Sequence, residues 1–349
     1  MKKVIFISAI ALAAAVSCTK SEVVDTKFNE QIGFETYLGR DAQTKASVAT
    51  AIETAGIYGF YTAAQQYHST TSTANLWVDG TLSGAGSVDP VKYWTNDSDW
   101  YSFAAYAPKG NTNLTVPTTE FNGDPVITYN VPNALGSQID LLYASAIDQK
   151  KPASGASVAL PFKHALSRLT VKAQAAAGDF TFTITDITVS GGFYTAGDLN
   201  LVSGAWTNTT AAVAEGEGKN DTYTIFDGSS VLSTTQVDYA VTDKGSDNYL
   251  MFIPTSKEVK VNVTYTITYA NQVSNPNVKS FVITPEGGFA QGFAYGVNLN
   301  FMLDTDNAIT FNVSVSPWDE TTPDQNLYPE GEPTTEEPET PETPADPAE

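Results

Sequence analysis

The sequence predicts an all-β protein made of two sandwich domains, each with one face of its sheets exposed to solvent. Three observations favour this fold. Apolar and polar residues alternate with a period of two in many segments, and Thr, Val, Ile, Tyr and Phe dominate those segments. Clusters of Gly, Asn, Asp, Ser and Pro separate them. A chain of 349 residues with 42% hydrophobic and 11% aromatic residues is long and apolar enough to bury two sizeable cores.

Residues 1–17 have the pattern of a bacterial lipoprotein signal peptide. Two lysines precede an unbroken apolar run over residues 4–16, which is shorter than the roughly 20 residues of a membrane span. Small residues then lead into Cys18, the only cysteine of the chain, as in a lipobox. Because a lone cysteine forms neither an intramolecular disulfide nor a zinc site, we expect Cys18 to become the first mature residue and to carry acyl chains. The alternative is an ordinary signal peptide that happens to contain a cysteine.

The first strand follows a flexible tether over residues 18–30. It lies in QIGFETYLG (31–39), where apolar and polar residues alternate. Three apolar side chains fall on one face of this strand: Ile32, Phe34 and Leu38. We expect this face to fill part of the core of the first sandwich.

Four later segments repeat the period-two alternation. They are FTFTITDITV (180–189), KEVKVNVTYTITYA (257–270), YGVNLNFML (295–303) and ITFNVSVS (309–316). In the last of them the apolar residues are Ile309, Phe311, Val313 and Val315. Each segment predicts a strand whose apolar face packs in a core and whose polar face meets solvent.

Two changes of composition divide the chain. DQKKPASGAS (148–157) interrupts the strand pattern with Pro, Gly and Ser, which indicates a boundary between domains. After Trp318 the sequence is dominated by Pro, Glu and Thr and contains no basic residue. Such a segment buries too little apolar surface to offset its ordering entropy, so we expect residues 321–349 to form a disordered acidic tail.

The formal net charge of −21 argues against nucleic acid as a partner, because contact with phosphates requires a basic face. The same charge disfavours electrostatic docking on anionic lipid. A lipid anchor on Cys18 would then hold the protein at the membrane by itself, at about 0.8 kcal/mol per buried CH₂.

The sequence contains no local motif of catalytic residues, and we predict that the protein is not an enzyme and uses no cofactor or metal. His68 lies in a polar loop and His164 at the head of a strand, and neither has a motif partner. NDSD (96–99) resembles half of a calcium loop but lacks the downstream Gly and Glu, so we interpret it as a turn. A pair of carboxylates brought together by the fold, as in a glycoside hydrolase, is an alternative that the sequence leaves open.

Aromatic residues are concentrated between residues 93 and 106. The cluster consists of Tyr93, Trp94, Trp100, Tyr101, Phe103 and Tyr106. We interpret it as part of an aromatic-rich sandwich core. The alternative is an exposed, coplanar row of rings that stacks on sugars, which would make the protein a glycan-binding surface lipoprotein.

Several segments, taken in order, resemble the fimbrillin-like (Mfa-like) proteins, a family of lipoprotein precursors related to the type V pilus subunits of Gram-negative bacteria. The resemblance is carried by the lipobox at Cys18, QIGFETYLGRDAQTKAS, VKYWTNDSDWYSFAAYAP, LPFKHALSRLTVKA, and the closing pair YGVNLNFML and ITFNVSVSPW. Together these segments span nearly the whole chain to residue 318.

The resemblance implies two β-sandwich domains of transthyretin-like type, with a boundary near residue 160. We therefore expect an N-terminal domain over residues 31–160 and a C-terminal domain over residues 161–320. The resemblance also implies a pilus component or adhesin located at the outer membrane, on the cell surface or in a fimbrium. The implied partners are other pilus subunits or further copies of this chain through strand addition, the outer membrane through the lipid, and a host or glycan ligand.

One position in this sequence matches the site at which precursors of the family are cleaved. In that family an arginine-specific protease removes the lipidated N-terminus with the first strand, and a strand of the next subunit fills the groove that opens. Arg40 follows the first predicted strand, whereas Arg168, the other of the two arginines, lies within a predicted strand. We therefore expect processing after Arg40. The alternative is a surface arginine at the end of a strand.

The C-terminal segment is the usual donor strand in polymerising subunits of the family. Here the candidate donor is ITFNVSVS (309–316). The tail behind it is unsuitable, because proline cannot donate to a ladder and clustered glutamates resist burial. Either residues 309–316 are donated with the tail outside, or the protein is a tip, an anchor or a surface lipoprotein that only shares the fold.

Overall fold

The computed structural model describes residues 30–38, 52–63, 74–95, 97–119, 123–153, 155–211, 222–239, 249–302, 309–317 and 325–327. Within these ranges the chain forms 22 strands and one short 3₁₀ helix at Leu135–Ser137, so the predicted all-β class is confirmed. No helix in these ranges is long and apolar enough to cross a membrane.

The strands are numbered in chain order. The first eleven are β1 (Phe34–Leu38), β2 (Thr54–Thr62), β3 (Ala74–Ser83), β4 (Val88–Asp89), β5 (Trp100–Ala107), β6 (Leu114–Thr115), β7 (Val126–Asn130), β8 (Leu142–Gln149), β9 (Val158–His164), β10 (Ser167–Ala175) and β11 (Thr181–Ser190). The others are β12 (Tyr194–Asn200), β13 (Trp206–Ala211), β14 (Thr222–Val231), β15 (Val237–Asp238), β16 (Leu250–Phe252), β17 (Val259–Tyr269), β18 (Gln272–Val273), β19 (Asn277–Ile283), β20 (Phe293–Phe301), β21 (Ile309–Pro317) and β22 (Gln325–Leu327).

Seven of the described strands form the N-terminal sheet, in the order β1-β9-β8-β5-β2-β3-β4. β1 and β9 run parallel, with Phe34 opposite Val158, and the other neighbours run antiparallel. Residues 30–34 also hydrogen-bond to the segment 86–94 at the opposite edge. The N-terminal sheet therefore closes on itself through the first residues of the described chain.

The two faces of the N-terminal sheet are buried in different cores. Successive side chains of a strand point to opposite faces, so Ile57 and Phe103 lie in the core that the closed sheet surrounds, here called the enclosed core. Tyr58 and Tyr106 lie on the outer face. There they pack with a four-stranded sheet in the order β13-β12-β7-β6, which contributes apolar residues such as Leu199.

The C-terminal part forms a sandwich of two sheets around a second large core. One sheet has the order β15-β10-β20-β21-β22, with β16 also paired to β10. The other has the order β14-β11-β17-β18, with β19 also paired to β17. The core between them contains Val171 and Leu299 from the first sheet and Ile187 and Val261 from the second.

Each of the five segments with period-two alternation forms a strand. QIGFETYLG contains β1, and the four later segments contain β11, β17, β20 and β21. β17 shows the expected alternation, since Val259 and Val261 are buried while Lys260 is exposed.

The four-stranded sheet draws strands from both sides of residue 160. β7 pairs antiparallel with β12, with Thr128 opposite Asp198. The Thr128 hydroxyl also donates a hydrogen bond to Asp198 Oδ1 at 2.6 Å. The division into domains over residues 31–160 and 161–320 stays a prediction, and the two parts share this sheet.

A short strand occurs within the segment expected to be a disordered tail. β22 pairs with residues 313–315 of β21. Its sequence, QNL, contains neither Pro nor Glu, so it can pair with the edge of β21 where the rest of the tail sequence is unsuited to a ladder. Residues 318–324 and 328–349 lie outside the described residues.

Candidate functional site

The N-terminal segment, residues 30–38, is hydrogen-bonded through its backbone on both sides. Towards the segment 86–94 the bonds are Ile32 N to Lys92 O at 3.0 Å, Phe34 N to Gly86 O at 2.9 Å and Trp94 N to Glu30 O at 3.1 Å. On the other side β1 pairs with β9, and Val158 N donates to Gly33 O at 2.9 Å. The N-terminal segment is therefore an inserted strand with partners at both edges.

The apolar side chains of the N-terminal segment contact the enclosed core. Ile32 is 0% exposed and Phe34 is 4% exposed. The Phe34 ring meets Phe103 edge to face, with centroids 5.0 Å apart and planes at 83°. Leu38 is partly buried and packs against the same core. Burial of each such side chain in full stabilises a protein by about 1.5–3 kcal/mol.

Gly86 allows the backbone of the N-terminal segment to approach the opposite edge of the sheet. Its φ of +86° lies in the left-handed region, which glycine adopts without steric cost. A Cβ atom here would lie 1.8 Å from Phe34 O, so a larger residue would displace the strand. The sequence does not nominate Gly86, because its neighbour in space lies some 50 residues earlier in the chain.

A cavity of about 530 Å³ lies beside the N-terminal segment. Its walls opposite residues 34–36 are formed by Gly84, Ala85 and residues 155–157, which are all small. Thr36 Oγ1 donates a hydrogen bond to Gly84 O at 3.3 Å. The N-terminal segment is therefore paired through its backbone on both sides, but the space beside the side chains of residues 34–36 is not filled.

The side chain of Glu30 anchors the start of the N-terminal segment. Its Oε1 accepts a hydrogen bond from Gly155 N at 2.6 Å, and its Oε2 lies 3.4 Å from Lys151 Nζ. Lys151 Nζ also lies 3.5 Å from Asp97 Oδ1. Gly155 and Lys151 both belong to DQKKPASGAS, whose composition indicates only a boundary. Sequence reasoning therefore missed this contact.

The aromatic cluster between residues 93 and 106 belongs mainly to the cores. Four of its six rings are buried. Trp94 and Tyr101 meet edge to face, with centroids 4.6 Å apart. Tyr93 is 48% exposed, and the Trp100 ring lies under Lys150 Nζ, 3.9 Å from its centroid. The core interpretation therefore accounts for the cluster better than a coplanar row of exposed rings.

The titratable side chains near the N-terminal sheet act in structural contacts. His164 is buried, and its Nδ1 lies 2.7 Å from Asp140 Oδ1. Tyr106 OH donates to Asp79 Oδ1 at 2.8 Å, and Lys109 Nζ lies 2.6 Å from the same oxygen. Burial, and then the hydrogen bond to Asp79, raise the pKa of Tyr106 above its ordinary value. A phenol held in its neutral form is a hydrogen-bond donor to Asp79 and not a base.

The candidate donor strand lies in a sheet of its own C-terminal sandwich. β21 pairs antiparallel with β20 along its whole length, while β22 covers only residues 313–315 on the other side. Val315 packs against the C-terminal core, and Ser314 is buried. β21 is thus already part of a ladder in this structure.

Several predicted site residues lie outside the described part of the chain. For the candidate donor strand this applies to the side chains of Ile309, Phe311 and Val313. It applies to the whole residue for Cys18 and Arg40. Their roles stay predictions.

A family model described as fimbrillin-like matches residues 41–318, which is well over half of the chain. The chain belongs to the fimbrillin-like family. The resemblance inferred from the order of short sequence segments is therefore confirmed. The matched range begins directly after Arg40 and ends at Trp318, so it includes neither the N-terminal segment nor the acidic tail.

Solved structures resemble this fimbrillin-like chain. A fimbrial protein from Bacteroides vulgatus ATCC 8482 is 18% identical with a TM-score of 0.57, and the match covers 83% of this chain and 100% of that one. A protein from Bacteroides uniformis ATCC 8492, provisionally named a cell adhesion protein, is 18% identical with a TM-score of 0.44 and coverages of 82% and 98%. The first match supports the fold. No curated protein matches the chain.

Proposed function

We propose that this fimbrillin-like chain is the lipid-anchored precursor of a pilus component or adhesin, which matures when its N-terminal segment is removed after Arg40 and assembles by strand exchange. One observation carries the proposal. The N-terminal segment is paired at both edges, supplies Ile32 and Phe34 to the enclosed core, and ends two residues before Arg40. A single cut in the chain would therefore free a complete structural strand.

Loss of the N-terminal segment would open a groove in the N-terminal sheet. β9 and the segment 86–94 would present unpaired backbone groups, and the sites of Ile32 and Phe34 would be empty. Two such side chains contribute about 3–6 kcal/mol, against the roughly 5–15 kcal/mol that stabilises a typical domain. The trimmed protein would therefore gain stability from any strand that restores both the ladder and the buried side chains.

β21 carries the apolar alternation that such a groove requires. The residues concerned are Ile309, Phe311, Val313 and Val315. To be donated, β21 would have to leave β20 in its own sheet, with the Pro- and Glu-rich tail remaining outside the acceptor. The partner is then another pilus subunit or a second copy of this chain.

The lipid on Cys18 would hold the precursor at the outer membrane, on the cell surface. A cut after Arg40 leaves the lipid on the fragment 18–40 and not on the body of the subunit. The fimbrial character of the family supports a surface location, and assembly would place the body in a fimbrium. The acidic charge of the chain disfavours docking on anionic lipid, so departure of the fragment would free the body from the membrane.

Digestion of the folded protein with an arginine-specific protease tests the proposal. We expect one cut, after Arg40, followed by loss of fragment 18–40 and growth of larger assemblies. Mass spectrometry locates the cut, and light scattering follows the assembly. Arg40→Ala should abolish both effects. Arg168→Lys is the matched control and should change neither, because Arg168 lies within β10 with its guanidinium 4.5 Å from the Tyr249 ring centroid.

A cut body that has lost the fragment, remains monomeric and keeps the thermal stability of the uncut protein would contradict strand exchange. The chain would then be a surface lipoprotein that shares the fimbrillin-like fold without polymerising.

A further inference from the structure

We infer that Glu30 is a charge clasp that keeps the N-terminal segment in place after the chain has been cut, so that cutting and release are separate steps. The inference rests on the proposed function, since it concerns how the same segment leaves. A cut after Arg40 removes only the covalent link at the C-terminal end of the segment. The contacts at Glu30, at the other end, are unaffected by the cut.

Glu30 joins three parts of the chain at one point. Its two carboxylate oxygens have different partners, Gly155 N at 2.6 Å and Lys151 Nζ at 3.4 Å. Its carbonyl oxygen accepts the bond from Trp94 N at 3.1 Å. The Glu30 and Lys151 side chains are only 24% and 13% exposed, so solvent and salt screen their attraction less than that of a surface pair.

Lys151 is oriented towards Glu30 by a second carboxylate. Asp97 Oδ1 lies 3.5 Å from Lys151 Nζ, but the Asp97 side chain is 69% exposed. Release of the N-terminal segment would take the Glu30 carboxylate away from the mostly buried ammonium of Lys151, whereas the exposed Asp97 would remain beside it. Loss of this pair opposes release and not the cut, because the cut leaves the contacts of Glu30 in place. The loss is substantial, since a hydrogen bond to a charged group is stronger than one between neutral groups.

The two ends of the N-terminal segment therefore differ in how firmly they are held. At the Arg40 end, Leu38 is only partly buried, whereas at the other end Glu30 is fixed by charge and Ile32 is fully buried. Fraying, and replacement by an incoming strand, should begin at Leu38 and reach Glu30 last. Until then the cut subunit stays attached to the lipid-bearing fragment without a covalent bond.

The single cysteine makes release measurable. The unlipidated mature chain, residues 18–349, is labelled with a maleimide dye at Cys18 and cut after Arg40. Dissociation of the labelled fragment 18–40 after dilution is then followed by fluorescence anisotropy. We expect Glu30→Gln, which keeps an oxygen for Gly155 N but removes the charge, to release the fragment about tenfold faster than the wild type. Lys151→Gln should act in the same direction.

The double variant and a neighbouring lysine sharpen the test. Glu30→Gln combined with Lys151→Gln should release the fragment no faster than the faster single variant, because both remove the same pair. Lys150→Gln is the matched control, since Lys150 Nζ lies over the Trp100 ring and not at Glu30. It should change the release rate by less than about twofold. Thermal melting of each uncut variant shows that it has folded.

Equal release rates for the wild type, Glu30→Gln and Lys151→Gln would overturn the clasp and leave strand exchange standing. A different result would contradict strand exchange. In that case the body freed of fragment 18–40 would neither assemble nor bind a peptide of residues 309–317. If the chain is not cut at Arg40, a recognition sequence for another protease placed within residues 41–50 allows the same release measurement.

Discussion

Gly86 determines how closely the N-terminal segment approaches the edge at which the sheet closes. A side chain at this position would destabilise the protein in two ways. Its backbone would be held at a left-handed φ of +86°, and its Cβ atom would lie 1.8 Å from Phe34 O. Gly110 has a similar φ of +80°, but nothing lies within 4 Å of a Cβ atom there, so a side chain at Gly110 would strain the backbone without crowding a neighbour. Gly110 is therefore a matched control that isolates the effect of crowding at Gly86.

Gly86→Ala should destabilise the protein more than Gly110→Ala. The left-handed backbone costs about 1–2 kcal/mol in either variant. Crowding of the strand adds about 1–3 kcal/mol in Gly86→Ala alone. Urea denaturation of the uncut protein measures both losses, and after the cut Gly86→Ala should also release fragment 18–40 faster. Equal losses in the two variants would mean that the strand moves away from Gly86 without strain.

The residues of the N-terminal segment show what local patterns can and cannot predict. Ile32, Phe34 and Leu38 follow from the period of two, because a strand directs alternate side chains to one face. The contact of Glu30 with Lys151 and the closeness of Gly86 do not follow, since both depend on residues far away in the sequence. The alternation within a single segment identifies which face of its strand is buried, but it does not identify the residues that pack on that face.

At the scale of strands, some of the elements that the pattern missed lack a single buried face. β2 and β5 are buried almost throughout, because one face contacts the enclosed core and the other the four-stranded sheet. They therefore read as continuous apolar runs without alternation. β4 and β6 have two residues each, too few for any period. Strands such as β17, with one exposed face, were predictable.

β21 can be tested as a separate element. A synthetic peptide of residues 309–317 should bind the body after the N-terminal fragment has been removed and should not bind the uncut protein. The Val313→Lys peptide is the control, because a lysine on the apolar face would be buried without a partner, and its binding should be at least about tenfold weaker. Fluorescence anisotropy of labelled peptides measures both affinities. Binding to the uncut protein, or equal binding of the two peptides, would exclude the groove as the acceptor.

At the scale of the whole molecule, one modified residue is proposed to connect an acidic body to the membrane. The full chain has a formal net charge of −21, which disfavours electrostatic attraction to anionic lipid as a replacement for the lipid anchor. Cys18→Ser should therefore either leave the detergent phase in a phase-separation assay or retain its signal peptide. Ser17→Ala is the control, because it preserves a small residue before the expected cut and should remain in the detergent phase. Partition of a processed Cys18→Ser protein into detergent would place the anchor elsewhere.

The closure of the N-terminal sheet would have a consequence for the export that the proposed signal peptide implies. A chain that emerges from its N-terminus first presents Phe34 long before Val158, the residue that lies opposite it in the finished sheet. Pairings between distant residues form slowly, because the entropy of closing the intervening loop must be overcome first. During that interval the first strand has no ladder partner on the β9 side, while Cys18, the proposed site of lipid attachment, has already emerged. The strand that translocates earliest would thus gain its second ladder partner only after β9 has emerged, when most of the N-terminal sheet is already outside the membrane.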